Sequence, residues 1–81
     1  MTETIAALAS GRPPAALAII RISGPAAFAV VQQLAGRLPP PRRLSLCRLQ
    51  HDGRLLDEAL VAVFPGPASA SGEDLAELHL H

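Results

Sequence analysis

Short apolar runs separated by turn-forming residues set the pattern of this chain. Ile5-Ala6-Ala7-Leu8-Ala9 is the first run and predicts a strand. Ser10-Gly11-Arg12-Pro13-Pro14 ends it as a loop, because adjacent prolines remove backbone donors and disfavour helix before them. Residues 16–23 become β-branched towards their end and predict a second strand, with Arg21 breaking the apolar run. Ser23-Gly24-Pro25 is a helix entry signal in which Ser23 or Gly24 could cap. Residues 26–35 predict a helix whose apolar face is Phe28, Val31, Leu34 and Ala35, closed by Gly36.

After an extended, proline-rich connector over residues 38–43, residues 44–50 alternate imperfectly and predict a third strand. His51-Asp52-Gly53-Arg54 is a hairpin turn on the strength of Asp-Gly. Residues 55–58 lead into a fourth strand over 59–64, and residues 65–72 form a loop. Residues 75–81 fit either a strand or a helix. The strand is preferred; it puts Ala76, Leu78 and Leu80 on one face and Leu75, Glu77, His79 and His81 on the other. The fold class expected is α/β (α+β): a small mixed β-sheet with one helix after the second strand, in one domain over residues 1–81.

Composition narrows the function. The chain has 81 residues, 49% hydrophobic and 17% charged, with mean hydropathy +0.30. This describes a folded domain too small for separate catalytic and binding units. The longest uncharged apolar stretch, within residues 22–37, contains Ser23, Gly24, Pro25, Gln32 and Gln33, a poor membrane span. Met1-Thr2-Glu3-Thr4 has no basic region of a signal peptide, so the expected location is cytoplasmic. Cys47 is the sole cysteine and is expected to pack rather than react. There is no lysine, which excludes a Walker A loop and a Schiff-base lysine within these residues. Without Trp or Tyr, a stacking platform for single-stranded nucleic acid is disfavoured. The net charge of zero hides a split: residues 1–51 hold six arginines against one glutamate, net +5, and residues 52–81 hold one arginine against six acids, net −5. Such a chain can self-associate or hold a ligand with an acidic and a basic end.

Candidate chemistry is sparse. Glu77 lies on a plausible strand face, where a carboxylate must be exposed or paired. Arg21 sits in an isoleucine-rich strand, and its fork suits a carboxylate or ring carbonyl, unless its stem simply carries the charge to solvent. His79 and His81 share a strand face, but two ligands are too few for a metal, and none is expected. Glu73 and Asp74 read as a turn or cap, Arg42-Arg43 as a solvated basic elbow, and Ser10, Ser23 and Ser71 lack the His–Asp order that would mark a nucleophile.

Two blocks then stand out: Ile19-Ile20-Arg21-Ile22-Ser23-Gly24-Pro25, and Phe64-Pro65-Gly66-Pro67 running through Ser71-Gly72-Glu73-Asp74 to Glu77-Leu78-His79-Leu80-His81. In order and separation, with Asp57-Glu58 between them, they resemble the N-terminal domain of the tRNA-modification GTPase family MnmE (TrmE). The family's Pro-Pro-Gly-Arg-Gly-Gly type loop corresponds to Gly11-Arg12-Pro13-Pro14-Ala15-Ala16 here, and its aromatic before the Ser/Thr-Gly-Glu-Asp block is Ala70. The resemblance implies a domain incomplete at its C-terminus that binds a reduced folate, of the 5-formyl-tetrahydrofolate type, and forms a homodimer. By motif position Arg21 and Glu77 match family folate-binding residues. A pterin presents an amino group and a ring N–H side by side, which one carboxylate can accept as a fork. The resemblance further implies the FAD-dependent partner MnmG (GidA) and tRNA. It assigns GTP, Mg and K to a G domain that this chain lacks, so the chain alone is not expected to catalyse. Three other readings stay open: a self-association module without ligand, RNA contact through Arg37, Arg42, Arg43 and Arg48, and a non-functional gene fragment.

Overall fold

The computed structural model describes residues 3–8 and 18–80. The expected loop over residues 10–14, the family-type loop at 11–16, the starts of the first two predicted segments' neighbouring residues 9 and 16–17, and His81 lie outside the described residues. The elements are β1 (Ile5–Leu8), β2 (Ala18–Ser23), α1 (Ala27–Ala35), β3 (Ser45–His51), β4 (Arg54–Phe64) and β5 (Leu75–Leu80). The strands form one sheet in the order β1-β2-β5-β4-β3. The small sheet with a helix after the second strand is therefore present, and all four of its strand pairings run antiparallel.

The helix forms where its apolar face can be buried, and its N-terminal end is fixed from outside the helix. Val31 is fully buried and Phe28, Leu34 and Ala35 pack around the core, as the spacing predicts. The expected cap at Ser23 or Gly24 is corrected: α1 begins at Ala27 with Ala26 as its cap residue. The Ala26 amide instead donates to Thr4 Oγ1 at 2.8 Å, so the residue ahead of β1 satisfies an orphan helix donor. Gly24 has φ +135, and a Cβ there would meet Glu3 O and Thr4 Cα at 2.5 Å. Only glycine lets these two segments approach so closely. At the other end Gly36 takes the left-handed conformation and its amide donates to Gln32 O.

The hairpin turn lies where Asp-Gly predicts it, with Asp52 at φ 51 and Gly53 at φ 75. The fourth strand is longer than the expected 59–64: it starts at Arg54 and runs through Asp57 and Glu58. β3 pairs along that extension, and its Arg48 stands directly opposite Glu58. One face of this antiparallel pair is left uncovered, so charged residues are tolerated there. Leu56 is the extra residue of a bulge opposite Leu49 and Gln50. Residues 75–80 are a strand, and β5 is flanked by β2 and β4 on its two sides.

One face of the sheet carries the core. Ile22, Cys47, Leu49, Ala59, Val61, Val63, Ala76 and Leu78 are buried with Ala27 and Val31 of the helix. The helix lies over β3 and β5. Cys47 is buried, in keeping with a packing role. Strand alternation then sends Arg21, Ser23, Glu77, His79 and Leu60 to the opposite, helix-free face.

Candidate functional site: a paired carboxylate on the open sheet face

The two central strands bring the two residues singled out in the sequence together. Arg21 and Glu77 are directly opposite each other in the β2–β5 register. Arg21 Nε donates to Glu77 Oε2 at 2.8 Å. On the same strand face as Glu77, His79 Nε2 lies 3.2 Å from Glu77 Oε1. Each carboxylate oxygen thus has its own nitrogen partner. Arg21 is half-exposed, whereas the Glu77 and His79 side chains are only 18% and 17% exposed. Burial alone would push the Glu77 carboxyl up. The hydrogen bonds from Arg21 and His79, with their charges, outweigh burial and hold it below its ordinary value. Glu77 is a carboxylate at neutral pH and acts as an acceptor only.

Small residues flank the pair along the sheet. Along the row across the sheet, Ala7 stands beside Arg21 and Ala62 beside Glu77. The next row is Ile5, Ser23, Leu75 and Phe64, an apolar border interrupted by one hydroxyl. Residues 65–74 turn back over that border. The Gly66 amide donates to Asp74 Oδ1 at 2.9 Å, closing the turn. The Gly24 amide donates to Asp74 O at 2.9 Å, anchoring its end beside β2. The Ser23 hydroxyl donates to Ser71 Oγ at 2.7 Å, with Glu73 Oε2 at 3.4 Å, and the Ser69 hydroxyl donates to Glu73 O. Glu73 and Asp74 therefore organise a turn, one of the roles expected for them. Arg42 and Arg43 are exposed, as a solvated elbow requires, and Arg42 is also a brace: its amide donates to Val63 O and its Nη2 to Ala68 O, both at 2.9 Å.

Two shallow depressions of about 330 Å³ each flank this turn, one against Glu77, Phe64 and Leu75, the other against Arg21, Ser23 and Ile5. A larger one of about 480 Å³ lies on the β3–β4 hairpin against Leu46, Leu55 and Glu58. Size does not decide between them. The pair near the turn contains a carboxylate held charged while mostly covered, and that is the arrangement able to orient a polar ligand. His79 as the second partner of Glu77 was not singled out from the sequence, although the i, i+2 spacing on one strand face was there to find it. The bracing by Thr4 and Arg42 has no comparable local signal, since both act across long sequence separations.

Among the described residues no helix is long and apolar enough to cross a membrane. No three His, Cys, Asp or Glu side chains gather as a metal site among them.

Among the described residues, an antiparallel five-stranded sheet with one covering helix and a charged pair on its open face defines a small α+β domain. A family profile described as "GTP-binding protein TrmE N-terminus" matches residues 4–81, and the chain belongs to that family. It is 59% identical over 83 residues to the tRNA modification GTPase MnmE of Novosphingobium aromaticivorans, a match covering all of this chain and 19% of that protein. Against the tRNA modification GTPase MnmE of Methylobacterium radiotolerans the identity is 63% over 82 residues, covering 99% of this chain and 19% of the relative. The MnmE of Rhodopseudomonas palustris strain BisB18 is 57% identical over 81 residues, covering 98% and 18%. The chain thus spans about a fifth of the length of these relatives.

Proposed function

We propose that the chain binds a reduced folate of the 5-formyl-tetrahydrofolate type on the open face of its sheet, with Glu77 and Arg21 as the binding residues. The observation that carries this reading is a largely covered carboxylate, kept charged by Arg21 and His79, at the edge of a depression with an apolar border. The residues present fit the ligand. Each Glu77 oxygen has a second lone pair beyond the one its protein partner uses, so it can still accept the adjacent amino and ring N–H groups of a pterin. Leu75 and Phe64 offer apolar contact to a flat ring beside it. The half-exposed guanidinium of Arg21 has N–H groups left for a carbonyl or a carboxylate. Bound folate would supply the one-carbon group; the protein residues hold and orient it.

The wider reading is that this domain serves a tRNA wobble-uridine modification GTPase in the cytoplasm, as a homodimer working with MnmG. The named activity of the relatives and the family match support it. The open face gives dimerisation a physical basis, because Leu46 and Leu60 pair across β3 and β4 there and are 60% and 39% exposed.

Calorimetric titration with 5-formyl-tetrahydrofolate tests the binding claim. Saturable binding to the unmodified chain, weakened by about tenfold or more in Glu77→Ala, is expected. Equal affinity in the two proteins would remove Glu77 from the site, and no heat with either would end the folate reading for this chain.

A further inference from the structure

We infer that His79 is the positioning residue of this site: it holds Glu77 Oε1 so that the carboxylate is presented in one orientation between two fixed donors. The inference rests on the folate reading above for its ligand, and on geometry for everything else.

Glu77 has rotatable bonds, and one ion pair to a half-exposed arginine does not fix its plane. A donor on the second oxygen does. His79 lies 3.2 Å from Oε1, two residues along the same strand, and is as well covered as Glu77 itself. Among the described residues, the only other side-chain donor recorded on Glu77 is Arg21, and it takes the other oxygen. The opposing residues on β4 are Leu60 beside His79 and Ala62 beside Glu77, and on β2 they are Ile19 and Arg21. Of the acids in the overhanging turn, Glu73 is engaged with Ser23 and Asp74 with the Gly66 amide. The partners of His79 across the two neighbouring strands, Ile19 and Leu60, are apolar and offer the ring no hydrogen bond, whereas Glu77 Oε1 does. As a neutral imidazole His79 must carry its proton on Nε2 to donate to that oxygen, which fixes the tautomer and leaves Nδ1 as an acceptor.

A glutamate locked in this way pays less ordering entropy when it accepts a two-pronged ligand, and misplaced orientations are not sampled. His79 therefore acts on affinity through Glu77, without needing to touch the ligand.

The test uses the 81-residue chain and two variants, His79→Ala and His79→Gln, the latter retaining an N–H donor on a side chain of similar reach. Two readouts are taken: affinity for 5-formyl-tetrahydrofolate, and the acid titration of the Glu77 side-chain carboxyl carbon by NMR. His79→Ala is expected to weaken binding about tenfold, and His79→Gln to recover most of the loss. The Glu77 titration midpoint is expected to rise in His79→Ala and to return towards its starting position in His79→Gln. A merely structural histidine would leave that midpoint unchanged. An unchanged midpoint in His79→Ala, or a glutamine variant no better than alanine in both readouts, overturns the inference. If the unmodified chain binds no folate, the folate reading fails, and the Glu77 titration still decides whether His79 positions it. Should His79→Ala lose its fold, nitrogen-shift NMR of the unmodified chain decides instead: a neutral ring protonated on Nδ1 overturns the inference, and one protonated on Nε2 supports it.

Discussion

At the scale of single residues, the charge on Glu77 is kept by its two nitrogen partners, Arg21 and His79. Its carboxyl is lowered in the folded protein, so the sign of its pH effect is fixed. The stabilisation is fully present above the unfolded-state carboxylate value and is lost as pH falls through the lower, folded-state value. Urea unfolding across the acid range should show a steeper loss of stability in the unmodified chain than in Glu77→Gln, with the two curves converging at the acid end. Parallel curves would mean that the pair contributes nothing to folding. The magnitude is small because Arg21 is half-exposed. A double-mutant cycle over Arg21→Ala and Glu77→Ala should give a coupling of about 0.5–1 kcal/mol. Arg21 and Glu77 were both legible as candidates, since a charge inside an apolar strand stands out. Their direct pairing was not, because it depends on β2 and β5 being neighbours in register, and nothing local specifies that.

At the scale of elements, the turns and the helix face were readable where local chemistry decides them. Asp52-Gly53 made its hairpin, Gly36 closed α1, and Phe28, Val31, Leu34 and Ala35 turned to the core. The misread start of α1 has a physical reason: the serine signal is local, but the donor it would satisfy is taken by Thr4 from the segment before β1. Thr4→Val should therefore cost about 1 kcal/mol by chemical unfolding, the loss of a helix cap. Gly24→Ala should cost more, about 2–3 kcal/mol, because its Cβ collides with backbone rather than with a yielding side chain. If Gly24→Ala proves neutral, the close approach of the segment before β1 to Gly24 is not as described. The extension of β4 through Asp57 and Glu58 escaped sequence reading for a related reason. Apolar density marks buried strand, whereas these residues belong to a half-solvated hairpin arm paired only with β3.

At the scale of the whole molecule, the sheet has one covered face and one open face, and the functional reading lies on the open one. The helix covers the face with Ile22, Val61, Val63 and Leu78, leaving Ile5, Leu46 and Leu60 exposed beside the Arg21–Glu77 row. The proposed homodimer would cover part of this surface. Sedimentation velocity should show a concentration-dependent dimer that Leu46→Glu or Leu60→Glu weakens; a monomer at all concentrations would contradict it. The opposite net charges of the two halves, visible in sequence, meet here in one place: Arg21 from the basic half pairs with Glu77 from the acidic half. Folding back thus accounts for at least part of the charge split.

The central claim is that a reduced folate is held on this open face at Glu77. The most direct test records the backbone amide NMR spectrum of the isotope-labelled chain during titration with 5-formyl-tetrahydrofolate. A dispersed spectrum is expected, with shifts concentrated at Arg21, Glu77, His79 and the turn over residues 65–74. A dispersed spectrum whose peaks stay in place throughout the titration would contradict it.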